Sequence, residues 1–207
     1  MNWVSSGRRC GAPLLFLALA ALGLAPAACS PTGMAVGGAA AAGVAASEER
    51  GLQGALDDTE IRLQINHLWL QESEALFREV NLQVQEGRVL LSGNVPDPET
   101  RVTAVRLAWQ AAGVREVINE IEVADTSSLT DLARDTWIAT KLKTRLLLDR
   151  DVFSINYSIE VVNGTVYLMG IAQNQAELDR VIGHAKDVAY VRRVVSYVRL
   201  KDAPREP

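Results

Sequence analysis

Residues 134 to 150 hold Trp137, Ile138, Lys141, Lys143 and Arg145, an indole and three cations within about three turns of a helix. Those types offer adhesion rather than bond making. An exposed indole settles at the boundary between water and acyl chains, and lysine stems lie along apolar surface while their heads reach anionic groups. The window as a whole sets Arg134, Lys141, Lys143, Arg145 and Arg150 against Asp135 and Asp149, a balance of +3. Near an anionic leaflet each Lys or Arg contributes on the order of 1 kcal/mol, enough for reversible attachment. Groups for covalent or metal chemistry are scarce. His67 and His184 are the only histidines and stand in no ligand spacing, the only cysteines are Cys10 and Cys29, and no glycine-rich phosphate loop follows a strand. The carboxylate pairs Asp57-Asp58 and Glu48-Glu49 read as capping or solvated groups. The sequence therefore predicts no catalysis, no metal and no cofactor.

The basic window has an acidic twin. A shift of 77 positions, without a gap, lays residues 57 to 124 on residues 134 to 201: Asp58-Thr59 falls on Asp135-Thr136, Ile61 on Ile138, Val89 on Val166 and Gly93 on Gly170. Shared positions are mostly apolar residues and glycines, which hold a fold, so function is expected where the copies differ. Residues 57 to 73 set Arg62 against Asp57, Asp58, Glu60 and Glu72, a balance of -3. Ile138, Leu142 and Leu146 take the core stripe that Ile61, Ile65 and Trp69 take in the first copy, so that Ile138 counts as a contact only by its place beside Trp137. Trp137, Lys141, Thr144 and Leu148, on the adjoining exposed face, replace Glu60, Gln64, His67 and Gln71. The bland alternative is that Trp137 covers the edge of its own core or the contact with the first copy, while the basic residues form a solvated face.

Each copy predicts the same elements. Ile61, Ile65, Leu68 and Trp69 recur at helical spacing from Asp57-Asp58-Thr59 to about Leu70. Val80, Leu82 and Val84, then Val89 and Leu91, alternate about Glu86-Gly87 as a hairpin, and in the second copy Asn163-Gly164 is the residue pair best suited to a tight turn. Pro98 to Ala112 predicts a second helix with Val102, Val105, Trp109 and Ala112 on its inner face. A last strand follows, buried through Val117, Ile121 and Val123, and in the other copy through Val194, Val198 and Leu200. The fold class is α+β: two tandem helix-strand-strand-helix-strand domains, each a three-stranded mixed sheet with two helices on one face. With nearly 70 residues each, the copies are expected to dock on one another.

The rest of the chain sets the compartment. Arg8-Arg9, an apolar run from Leu14 to Leu24 and Ala25-Pro26-Ala27-Ala28 read as a signal over residues 1 to 28. Residues 29 to 54 read as an N-terminus and Ala/Gly tether, 55 to 125 as the first domain, 126 to 133 as a linker, 134 to 202 as the second domain and 203 to 207 as a tail. Small residues before a lone Cys29 resemble a bacterial lipobox, although Pro26 stands where such motifs carry an apolar residue. Lipidation of Cys29, with Ser30 after it, implies the periplasmic face of the outer membrane. Cleavage after Ala27 or Ala28 would instead release a soluble periplasmic protein. Removing residues 1 to 28 leaves 19 basic against 25 acidic residues, about -6, which argues against nucleic acid as a partner.

Gly87-Arg88-Val89-Leu90-Leu91-Ser92-Gly93 and Gly164-Thr165-Val166-Tyr167-Leu168-Met169-Gly170, in a repeated α-β-β-α-β frame, resemble the BON domain. The resemblance covers residues 57 to 201. With the lipobox and tether it extends to the dual-BON outer-membrane lipoproteins, those associated with division and outer-membrane stress, and to a soluble, osmotically inducible periplasmic form. It implies that Gly87, Gly93, Gly164 and Gly170 are structural, that the second domain's first helix binds an anionic phospholipid membrane, that the protein supports outer-membrane integrity, and that it is not an enzyme. The competing class is a periplasmic adaptor holding another envelope protein by a sheet edge or helix face.

Overall fold

The computed structural model describes residues 47–124 and 128–203. The expected signal, Cys29 and most of the expected tether lie outside them. In the first copy, helix α1 (Gly51–Glu72) and a short α2 (Glu74–Glu79) precede strands β1 (Val80–Gln85) and β2 (Arg88–Val95), helix α3 (Pro98–Ala108) and strand β3 (Glu116–Val123). In the second, α4 (Leu129–Leu148) and a 3-10 turn (Ser154–Asn156) precede β4 (Tyr157–Val162), β5 (Thr165–Ala172), α5 (Gln175–Lys186) and β6 (Arg193–Leu200). Each sheet has its middle strand paired antiparallel to one neighbour and parallel to the other, in the orders β1-β2-β3 and β4-β5-β6. This is the expected mixed sheet with helices on one face.

The hairpin turns form as the residue pairs demand. Glu86-Gly87 and Asn163-Gly164 all hold positive φ, between 49° and 75°. Beneath each turn lies a buried aspartate, and Asp58 is thereby a tertiary link and not the capping or solvated group expected of it. Asp58 is buried about two turns inside α1 and accepts the N–H groups of Glu86 (3.0 Å) and Gly87 (2.9 Å), while Arg50 donates to it at 2.8 Å. Asp135 does the same for Asn163 (2.7 Å) and Gly164 (2.8 Å). A buried carboxylate with charge-assisted bonds to two turn amides fixes the helix to the hairpin. Asp58→Ala is expected to lower stability by about 2–4 kcal/mol in chemical denaturation, because two amides and a guanidinium lose their acceptor. An unchanged midpoint would refute that role.

Four expectations need correction. Helix α4 begins at Leu129, inside residues 126 to 133 read as a linker. Helix α1 begins at Gly51, inside the stretch read as tether, and the preceding residues are docked rather than solvated. The Glu49 N–H donates to Asn156 Oδ1 (3.0 Å), and its carboxylate accepts from Gln173 Nε2 (2.8 Å) and Lys201 Nζ (3.2 Å) in the second copy, bonds that hold its pKa below the usual range. Helix α3 turns Ala104, Leu107 and Ala108 inward and leaves Val102 and Trp109 in solvent. The wholly buried Trp69 sets this choice: its indole donates to the Ala104 carbonyl (3.2 Å), and only small side chains let the α3 backbone come so close. Val123 is exposed at the end of β3, while Ile118 is buried on the opposite face from Ile121.

That opposite face explains how the copies associate. Leu90 and Ile118 pack against Val162, Tyr167 and Met169, so β2 and β5 are covered on both sides, by their own helices and by the other sheet. Polar contacts around this core follow the repeat. Gln83 donates to Glu160 (3.2 Å) and Tyr197 to Glu120, each pair 77 positions apart. Asn163 with Glu122 (3.2 Å) and Arg199 with Glu86 (3.5 Å) are one contact with the copies exchanged. The two domains therefore meet as a symmetric dimer would, through the same surface on each.

Candidate membrane-docking face

Helix α4 is started by Ser128, whose hydroxyl accepts from the Asp131 N–H (3.2 Å), and is held to the sheet by Asp135, Ile138, Leu142 and Leu146. Its far side presents Trp137 at 45 % exposure, with Lys141, Thr144 and Leu148 also exposed. Thr136, Thr140 and Thr144 donate to the carbonyls of Leu132, Thr136 and Thr140 at 2.8 to 2.9 Å. Back-bonding of this kind satisfies the hydroxyl donors inside the helix, which lowers the cost of bringing the surface against something less polar than water.

Beside Trp137 stands Tyr190, from the loop between α5 and β6. It is 64 % exposed and sits at φ 69°, a conformation that bulky residues rarely adopt. Its ring meets the indole edge-on, with centroids 5.8 Å apart at 73°, and the Arg134 guanidinium lies 5.6 Å from its centre. Arg134 is also paired with Asp131 (2.8 Å). In the first copy the same turn is made by Gly113 at φ 91°, and Asp57 and Glu60 stand at the positions equivalent to Arg134 and Trp137. The second copy thus accepts a strained backbone in order to carry an aromatic ring, and such outliers gather at functional sites. The repeat alignment shows the Gly-to-Tyr change, but only the loop's path brings the ring to Trp137.

Of the five expected contact residues, the structure gathers Trp137 and Lys141 on one face, with Thr144 and Leu148 beside them as expected, and adds Tyr190 and Arg134. Ile138 is wholly buried against the sheet, so its part is packing. Lys143 follows Lys141 by two positions, about 200° around the helix, and serves the flank near Glu160. Burial raises the Glu160 carboxyl pKa, and the hydrogen bond from Gln83 and the charge of Lys143 act against that rise. Arg145 is partly buried and reaches the His184 carbonyl (3.4 Å), tying α4 to α5. Among the described residues no helix is long and apolar enough to cross a membrane, and no three His, Cys, Asp or Glu side chains group as metal ligands.

Comparison with known proteins matches the BON domain model at residues 57–125 and again at 134–202. An uncharacterised protein encoded in the gshII 5' region of Anaplasma centrale is 46 % identical over 147 residues, covering 70 % of this chain and 96 % of the relative. The outer membrane lipoprotein DolP of Haemophilus influenzae is 29 % identical, covering 76 % of this chain and 81 % of its own. Osmotically-inducible protein Y of Escherichia coli is 28 % identical, with 70 % and 74 % covered.

Proposed function

The chain belongs to the BON domain family in both of its halves, and from that premise we propose that it is a non-enzymatic lipoprotein of the bacterial envelope that docks on anionic phospholipid through the exposed face of α4. One observation carries the reading: of two superposable leading helices, only the second pairs cations with accessible aromatic rings, Trp137 beside Tyr190. Rings at the headgroup boundary supply apolar contact, and Arg134 and Lys141 on the same face supply attraction to phosphate. The names of the Haemophilus and Escherichia relatives support an envelope location, at the outer membrane or in the periplasm. Cys29 would anchor the chain to the outer membrane, and the α4 face would then add a second, reversible hold.

Flotation of the unlipidated chain with vesicles separates this from an adaptor role. Binding to phosphatidylglycerol vesicles, weakened by salt and absent with phosphatidylcholine, is the expected result. A chain that stays at the bottom of the gradient with both would overturn the proposal. Tyr190→Gly tests the aromatic pair by itself. It installs the residue that the first copy uses at this turn, so thermal stability should hold or rise slightly, while vesicle affinity falls about threefold to tenfold. Unchanged affinity would remove Tyr190 from the site.

A further inference from the structure

The other leading helix is apolar on two sides. Ile61, Ile65 and Trp69 of α1 face the core, and on the opposite side Leu52, Leu56, Leu63 and Leu70 are 45, 56, 65 and 54 % exposed. Leu56, Leu63 and Leu70 are seven residues apart, and Leu52 before them with Thr59 and Asn66 between them completes a run at alternating intervals of four and three. That is the seam of a two-stranded coiled coil. We propose that this stripe is a homodimer surface, on which α1 of a second copy of the chain lies parallel and in register. The inference goes beyond the membrane-docking reading and does not use the α4 face, although its parallel sense draws on the proposed anchoring at Cys29.

Four observations select this occupant. First, in a parallel pair every seam residue meets its own equivalent, so the Asn66 amide can donate to and accept from Asn66 of the second copy. An antiparallel pair would set that amide against Leu56 and leave it without a polar partner. Second, the Thr59 hydroxyl already donates to the Ala55 carbonyl (2.7 Å) and brings no unpaired polar group to the contact. Third, the stripe is edged by satisfied polar pairs, Gln53 with Asp57 (2.7 Å) and Gln64 with Glu60 (3.3 Å), and the helix carries the acidic balance that an anionic bilayer repels. Fourth, a parallel pair brings residues 1 to 46 of both copies in at the same end, as two chains attached to one surface require. Two helices of 22 residues, about 33 Å long, bury an area at the low end of specific interfaces. The dimer is therefore expected to be weak and reversible.

Sedimentation velocity on residues 29–207 carrying Cys29→Ser, from about 1 to 300 µM, is the test. A monomer–dimer equilibrium is expected, shifted at least tenfold toward monomer by Leu63→Glu with no change in melting temperature. Leu56→Cys in the same background should give a disulfide-linked dimer on mild oxidation, because residue 56 meets residue 56 only in the parallel arrangement. A chain that remains monomeric and does not cross-link overturns the proposal, as does a dimer indifferent to Leu63→Glu. Retained monomer with a loss of phosphatidylglycerol binding in Leu63→Glu would instead assign the stripe to lipid.

Discussion

Trp137→Glu should cut binding to phosphatidylglycerol vesicles by about thirtyfold to a hundredfold while leaving the fold intact. The indole is the largest apolar group on the exposed face of α4, and losing its contact forfeits roughly 1–2 kcal/mol. The new carboxylate adds about 1 kcal/mol of repulsion at an anionic surface. Together these make about 2–3 kcal/mol, and each 1.4 kcal/mol is a factor of ten. The protein already shows that the helix tolerates the substitution, because Glu60 occupies the equivalent exposed position of α1. Loss of the edge contact with Tyr190 costs stability no more than about 1 kcal/mol, so a melt should move only a few degrees. Vesicle partition and a thermal melt on the same sample decide the matter. Wild-type partition in the variant would dismiss α4 as the lipid contact.

Gly170→Ala is expected to have the largest effect on stability, about 3–5 kcal/mol, a large part of what holds a domain of this size together. Gly170 sits at φ 149° where β5 passes the 3-10 turn, and a Cβ there would come within 2.2 Å of the Asn156 carbonyl oxygen. That oxygen belongs to backbone, so the turn itself would have to shift, and with it the Asn156 side chain that accepts from Glu49. Gly93 is held in the same way against the Glu79 carbonyl, again at 2.2 Å. The melting temperature should fall by about 10 °C or more. Gly183→Ala is the control. Nothing lies within 4 Å of a Cβ at this position inside α5, so that change should raise stability by about 0.5–1 kcal/mol. Equal effects at the two glycines would refute the steric account.

The hairpins and the order of elements were legible because Asn163-Gly164 and the alternation around it admit few other backbones. Burial along α3 was not. Val102 with Trp109, and Ala104 with Leu107 and Ala108, both suit a period of 3.6, and hydrophobicity favoured the first stripe. The choice depended on a distant residue, Trp69, whose bond to the Ala104 carbonyl favours a small side chain at that point of α3. The start of α1 was hidden because Gly51, Gly54 and Ala55 look like linker, whereas pairing of Arg50 with Asp58 and of Glu49 with the second copy orders the chain there. Within the candidate site, comparing the copies exposed Trp137 and Lys141 because the signal was chemical. Tyr190 carried an equally clear change, but which helix a loop residue leans on is tertiary information. Ile138 and Lys143 were grouped with Trp137 by nearness in sequence, which a helix does not respect.

Because Glu49 and Arg50 are fastened to the folded body, the leash behind Cys29 is shorter than composition suggests. Seventeen residues, 30 to 46, separate that cysteine from the first described residue, and a fully extended strand of that length reaches at most about 60 Å. Were Cys29 acylated as proposed, a body on so short a leash would patrol only the leaflet that holds those acyl chains, and the opposite membrane of the envelope would have to come to it.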